Sequence, residues 1–309
     1  MQNIVTNKKS VLSLFFKPVC IIAAAAFLLF AGGCDGQGEG EDTGVIPDEN
    51  GYVLVWSDEF EGDTLDMDKW SYQTGRQDDY YGNKGPMDWG NSELQYYTDG
   101  ANVEVLNGEL QIIAKRQQTG DKQFTSARIA TRDKFTFTYG KIEAKMQTPA
   151  IQGMWPAFWM LPNPSGHGST DNEYGGWPAN GELDIMEAKG RLVNEVDTTL
   201  HFGEDWRNHD MAGKTTKLSS STEEWHTYGV EWTAEYIAWI IDGEEVFRVE
   251  SSRYWSSASS VSSAPFDKPF YILLNLAVGG QYDGYVQPPA DFSEATMYVD
   301  YVRVYQKAD

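Results

Sequence analysis

From Trp225 to Glu250 the chain reads as short alternating runs, Tyr228-Gly-Val-Glu-Trp232 and Tyr236-Ile-Ala-Trp-Ile-Ile241, then Asp242-Gly243 and Glu245-Val-Phe-Arg-Val249. A period of two marks a strand with one buried face, and Asp-Gly between two such runs marks a tight hairpin. Similar runs occur in Gly108-Glu-Leu-Gln-Ile-Ile-Ala114, Phe135-Thr-Phe-Thr-Tyr139, Phe270-Tyr-Ile-Leu-Leu274 and Met297-Tyr-Val-Asp-Tyr-Val-Arg-Val-Tyr305, and no long amphipathic helix is visible. Many short strands separated by turn residues predict an all-β sandwich or barrel, and roughly 255 residues suffice for one such domain. Two polar stretches rich in Gly and Ser, Asn163 to Gly176 and Ser251 to Pro265, read as long loops.

One candidate strand, Gly181-Glu-Leu-Asp-Ile-Met-Glu-Ala-Lys-Gly190, places three carboxylates in an apolar run. Side chains alternate along a strand, so Glu182 and Asp184 share a face while Leu183 and Ile185 point inward. Glu187 falls on the opposite face unless one extra residue is accommodated, and a β-bulge at Ile185-Met186 would return it to the row. With the bulge, the backbones under Glu182 and Glu187 lie roughly 13 Å apart, and two inward-leaning side chains of about 4 Å each leave about 5 Å. That is close to the roughly 5 to 5.5 Å of a retaining glycosidase, in which one carboxylate attacks the anomeric carbon and the other protonates the leaving oxygen. Spacing alone does not assign the two roles. Asp184 can hydrogen-bond either neighbour, and nearby anions raise the proton affinity of whichever residue is the acid.

Acids on a strand most often form a solvated outer face. The surroundings argue otherwise: Gly153-Met-Trp-Pro-Ala-Phe-Trp-Met-Leu-Pro162 lies thirty residues upstream and Gly175-Gly-Trp-Pro-Ala-Asn-Gly181 leads directly into the acids. Aromatic faces stack on sugar rings, so Trp155, Trp159 and Trp177 beside paired carboxylates indicate a carbohydrate cleft. Trp155 and Trp159 are four apart and share a strand face.

Glu182-Leu-Asp-Ile-Met-Glu187 resembles the catalytic signature of glycoside hydrolase family 16 in the bulged form of its laminarinase-type members, the endo-β-1,3-glucanases. The resemblance continues in order through Val55-Trp-Ser-Asp-Glu-Phe60, Trp89-Gly-Asn-Ser-Glu-Leu-Gln-Tyr-Tyr-Thr98, Tyr139-Gly-Lys-Ile-Glu-Ala144, the two tryptophan segments, Leu200-His-Phe-Gly203, Asn275-Leu-Ala-Val-Gly-Gly280 and Val299-Asp-Tyr-Val-Arg-Val-Tyr305. It implies a β-sandwich of jelly-roll, concanavalin-like type over residues 52–309, with one sheet bent into a concave cleft. It implies Glu182 as nucleophile, Glu187 as general acid/base, Asp184 as their assistant and His201 close by. Asn91, Glu93, Arg128, Trp155, Trp159 and Trp177 match positions lining the glycone side. Catalysis needs no cofactor. Many members bind a structural calcium ion on the convex face, where Glu59, the backbone of Gly108 and Asp300 match its ligands. Lys145 departs from the family's more frequent arginine and reads as structural or peripheral.

The implied reaction is retaining endo-hydrolysis of laminarin-type β-1,3-glucan by a monomer. Alternatives on the same scaffold are a relative acting on mixed-linkage glucan or marine galactan, a transglycosylase, and a non-catalytic glycan-binding protein. The Trp89 to Thr98 and Gly175 to Glu187 segments favour laminarin, and glycan-binding relatives have lost the glutamates that this chain keeps.

Lys8, Lys9 and Lys17 precede an apolar stretch from Val19 to Phe30, followed by Ala31-Gly-Gly-Cys34. This is the layout of a secretory signal over residues 1–33, and the cysteine after small residues resembles a bacterial lipobox. Export to the cell envelope with a lipid on Cys34 is expected, followed by an acidic, glycine-rich tether over residues 34–51. Both cysteines, Cys20 and Cys34, lie in this region, leaving the domain none. The chain holds 46 acidic against 24 basic residues, and its first 33 contribute three lysines and no acid, so the remainder is strongly anionic. Such a surface disfavours nucleic acid and anionic polysaccharides and suits a neutral glucan. The four histidines lack metal-site spacing.

Overall fold

Seventeen strands occur among residues 47–77, 85–165 and 171–308, the part described by the computed structural model. In chain order they are β1 (Tyr52–Asp58), β2 (Ser71–Tyr72), β3 (Gln95–Tyr97), β4 (Val103–Leu106), β5 (Glu109–Lys115), β6 (Phe124–Ser126), β7 (Arg128–Ala130), β8 (Gly140–Gln147) and β9 (Met154–Pro162). Then follow β10 (Glu182–Glu187), β11 (Glu195–Gly203), β12 (His209–Lys217), β13 (His226–Trp232), β14 (Tyr236–Ile241), β15 (Glu244–Glu250), β16 (Phe270–Val278) and β17 (Glu294–Lys307). They form two sheets. The first runs β15-β14-β13-β8-β17-β5-β6-β3, with β1 beside β17 and β4 beside β5; the second runs β12-β11-β10-β9-β16-β7-β2. All pairs are antiparallel except β3 with β6. The expected sandwich is therefore present, and the signal segment, Cys34 and the tether up to residue 46 lie outside the described residues.

The alternation in the sequence becomes burial. Strand β8 alternates strictly between buried and half-buried residues, with Ile142, Ala144 and Met146 on the core face. Those residues join Leu110, Ile112, Val230 and Trp239 of the first sheet to Phe158, Met160, Leu183, Leu200 and Leu274 of the second in one apolar core. Each Val, Leu, Ile, Met or Phe side chain among them contributes roughly 1.5–3 kcal/mol of burial. The turn after β14 uses Asp242 and Gly243 at φ 52° and 83°, the two positive values a tight hairpin requires. Phe135–Tyr139, by contrast, is not a strand and keeps only the bridge Phe137 to Phe270. Its alternating aromatics serve packing instead, Phe135 stacking on Trp56 and Phe137 meeting Trp232 edge-on.

Strands β9 and β10 are entered through glycines the fold requires. Gly153 and Gly181 sit at φ 81° and 86°; a Cβ would lie 2.5 Å from the Pro288 nitrogen at the first and 3.0 Å from the Pro265 ring at the second. Across the interface, the Trp239 indole N–H donates to the carbonyl of Asp184 at 2.8 Å. This gives a partner to a backbone group at the point where the β10 ladder is interrupted. Trp239→Phe removes that donor and should cost about 1–3 kcal/mol of unfolding free energy in a denaturant titration; a stability equal to wild type would show that the contact carries nothing.

Candidate active site

The interruption in β10 falls where the sequence places it. Against β11, Glu182 faces His201 and Asp184 faces Thr199, but Glu187 faces Asp197, so three steps on β10 match two on its partner. Against β9 the slip lies between Asp184 and Met186. Ile185 and Met186 both turn into the core, at 1% and 0% exposure. Glu182, Asp184 and Glu187 consequently line one cavity of about 760 Å³ above the second sheet.

Two indoles hold the two glutamates. Trp155 Nε1 donates to Glu187 Oε1 at 2.9 Å, and the Trp177 side chain hydrogen-bonds Glu182. Burial raises the proton affinity of both carboxyls, and the charge of Asp184 adds to it. Glu182 is pushed up to about 7, with the charges of His201 and Arg128 pulling the other way. Glu187 is raised well above the ordinary carboxylate range. His201 Nε2 lies 3.2 Å from Asp184 Oδ2 and its Nδ1 lies 2.8 Å from His209 Nε2. Burial opposes the imidazolium, but its close contact with Asp184 and the charges of the three surrounding carboxylates outweigh it and lift His201 to about 9. His209 is lowered by burial and by the charge of His201, which suits it to accept the Nδ1 proton. Raised affinities in the folded state mean that the stability these groups contribute is present at low pH and lost as pH rises, through about 7 for Glu182 and about 9 for His201.

The remaining cleft residues gather as expected, though their roles differ in detail. Trp155 and Trp159 share the open face of β9, and Trp159 Nε1 donates to Asn275 Oδ1 at 2.7 Å. Arg128 lies between two indoles, 4.6 Å from the Trp89 ring centroid and 4.5 Å from that of Trp159, with its Nε donating to Gln73. Asn91 lines the cavity from the loop after the Met87–Gly90 turn. Glu93 reaches the cavity but is buried, and its Oε2 already accepts from Gln95 and Tyr97; burial raises its proton affinity, with the charge of Arg128 pulling the other way. Tyr282, Asn275, His209 and Trp206 also line the cavity without having been singled out in the sequence. Tyr282 stacks on Trp155 at 4.7 Å and donates its hydroxyl proton to Asp197 at 2.6 Å. Asn275 opens one of the segments carrying the resemblance, and the only signal for the other three was their closeness to such segments.

On the other sheet, Lys145 pairs with Asp300 at 2.7 Å and lies over the Trp225 ring, a structural role as expected. Arg303 grips both oxygens of Glu59, at 3.0 and 2.7 Å. Gly108 forms the positive-φ corner between β4 and β5.

The family model described as Glycosyl hydrolases family 16 matches residues 90–303. The glucan endo-1,3-beta-glucosidase A1 of Niallia circulans is 41% identical over 271 residues, covering 83% of this chain, which spans 38% of that longer protein. The glucan endo-1,3-beta-glucosidase of Cryptopygus antarcticus is 38% identical over 269 residues, covering 82% of this chain and 91% of that one. The crystal structure of the laminarinase from Rhodothermus marinus superposes with a TM-score of 0.71 at 36% identity, covering 84% of this chain and 98% of that one.

The pairing of Asp184 with His201 can be tested without substrate. Asp184→Asn removes the charge that raises the imidazole, so an NMR titration of His201 should move from about 9 toward its ordinary 6.5. A titration that stays where it was would show that Asp184 does not hold this proton.

Proposed function

The chain belongs to glycosyl hydrolase family 16, and from that premise we propose that it is a retaining endo-β-1,3-glucanase with Glu182 as nucleophile and Glu187 as general acid/base. One observation carries the assignment: the bulge sets both glutamates in one cavity, each held by an indole N–H. The endo-1,3-glucosidase and laminarinase relatives support β-1,3-glucan as substrate.

In the first step the Glu182 carboxylate attacks the anomeric carbon while Glu187 gives its proton to the glycosidic oxygen, whose bond to that carbon breaks. Burial and the charge of Asp184 keep that proton on Glu187 until it is needed. The charges of His201 and Arg128 favour ionised Glu182. In the second step the Glu187 carboxylate takes a proton from water, the water oxygen attacks the same carbon, and the ester bond to Glu182 breaks. Trp155 holds one Glu187 oxygen, leaving the other to carry the proton. The carboxylates supply the whole acid, base and nucleophile set.

Calcium enters no step. The ligand set that the resemblance implies for a structural ion is Glu59, the Gly108 backbone and Asp300, oxygen donors of the kind calcium takes, with Glu59 paired to Arg303 and Asp300 to Lys145. Outside the domain, the Ala31-Gly-Gly-Cys34 sequence supports export and tethering to the cell envelope by a lipid on Cys34.

Glu182→Gln and Glu187→Gln should each lower laminarin hydrolysis by about 10²-fold or more while leaving oligosaccharide binding by calorimetry intact; full turnover in either variant contradicts the assignment. Products sized from laminarin, lichenan and agarose separate β-1,3-glucan from the alternative polymers. Cys34→Ser should release the full-length protein from the membrane fraction of an expressing bacterium, whereas unchanged membrane association would rule out the lipid anchor.

A further inference from the structure

Resting on the double-displacement reading above, we propose that Tyr282 is a positioning residue for the general acid: its ring fixes the Trp155 indole that holds Glu187 and covers that carboxyl on the side of a second cavity. Tyr282 sits on the Gln281–Asp283 turn after β16. Its ring centroid lies 4.7 Å from that of Trp155 with the planes at 21°, and Trp155 Nε1 reaches Glu187 Oε1 at 2.9 Å. An indole N–H donates along the plane of its ring, so a flat neighbour that stops the indole tilting also keeps the donor on its acceptor.

The tyrosine is itself tied down. Its hydroxyl donates to Asp197 Oδ2 at 2.6 Å, and Lys189 Nζ donates to the same oxygen at 2.7 Å while lying 4.2 Å from the tyrosine ring centroid. Burial opposes ionisation of Asp197, but the hydrogen bonds from Lys189, Thr215 and Tyr282 outweigh it and hold the carboxyl below its ordinary range. Burial and the charges of Glu187 and Asp197 keep Tyr282 a phenol, and so a donor. The turn beneath it is fixed by Arg191, which pairs with the buried Asp283 at 2.7 and 2.9 Å, and by Gln281 N, which donates to Asn91 O at 2.7 Å.

A stacked, tethered tyrosine is ordinary packing in many proteins. What distinguishes this one is its place: Glu187, His201 and Tyr282 line both the cavity of the three acids and a second one of about 390 Å³. Charged groups surround Glu187 on several elements. Glu182 and Asp184 lie on β10 itself, His201 and the directly paired Asp197 on β11, Lys214 on β12 and Lys189 on the loop after β10, whereas β9 presents Trp155 and Ala157, neither of which ionises. Burial is the largest cause of the raised proton affinity of Glu187, ahead of the charge of Asp184, and the Trp155 hydrogen bond opposes it more weakly. Removing the Tyr282 ring opens the second cavity onto Glu187, so the lost burial outweighs the lost hydrogen bond and the carboxyl releases its proton at lower pH.

Carbon-13 NMR of the Glu187 carboxyl reads this without substrate. In Tyr282→Ala its titration should fall by about one to two pH units toward the ordinary value of about 4.3. The basic limb of kcat/KM on laminarin, which reports the protonated acid, should move to lower pH by the same amount. Tyr282→Phe keeps the ring and should restore both. Tyr282→Leu keeps apolar volume without a stacking face; it should move the titration the same way by less, and it supplies the reading if Tyr282→Ala does not fold. A Glu187 titration equal to wild type in Tyr282→Ala and Tyr282→Leu would overturn the proposal. So would a raised KM with an unmoved basic limb, which would make Tyr282 a sugar contact alone. A wild-type enzyme inactive on laminarin would overturn the glucanase reading, and the carbon-13 titration would still decide what Tyr282 does to Glu187.

Discussion

Three carboxylates sharing one cavity repel each other, and much of the fold is arranged to hold them together. Two unit charges about 4 Å apart at an effective dielectric of about 20 interact by roughly 4 kcal/mol, so three bare anions would force β10 apart or take up protons. The structure answers with both remedies. Glu187 keeps a proton well above the ordinary carboxylate range, and His201 becomes a cation against Asp184. The backbone beneath is anchored from the opposite sheet by Trp239. The same electrostatics that endanger the strand give its two ends different proton affinities, which is what an acid and a nucleophile need.

The bulge was legible because it follows from counting. An offset of five residues is incompatible with one strand face, and only one extra residue reconciles it. The facing of Trp155 and Trp159 and the Asp242-Gly243 hairpin were legible for the same local reason. Phe135–Tyr139 misled because aromatic alternation describes a buried face whether or not a ladder partner is present; its rings fill the space around Trp56 and Trp232. Glu93 lines the cavity as the resemblance implied, but its hydrogen bonds to Gln95 and Tyr97 were not legible, because they depend on how its own strand folds around the carboxylate. His209 and Tyr282 were invisible because their importance lies in contacts across strands and turns, to His201 and to Trp155.

The tryptophans show how one residue type serves two ends. In sequence they suggested stacking platforms for sugar. In the structure Trp155 and Trp177 also spend their N–H groups on the glutamates, and Trp155 has one face against Tyr282. Carbohydrate recognition and carboxylate orientation are thus fused, so a chain seated on these rings meets acids whose rotamers are already set.

The central claim is that the bulge brings Glu182 and Glu187 into the relation of a double-displacement pair. Proton NMR of laminarin hydrolysis, followed from the first minutes, tests it most directly through the configuration of the newly formed reducing ends. The account predicts that the β anomer appears first and the α anomer grows in later by mutarotation; an initial burst of α anomer would mean inversion and contradict it.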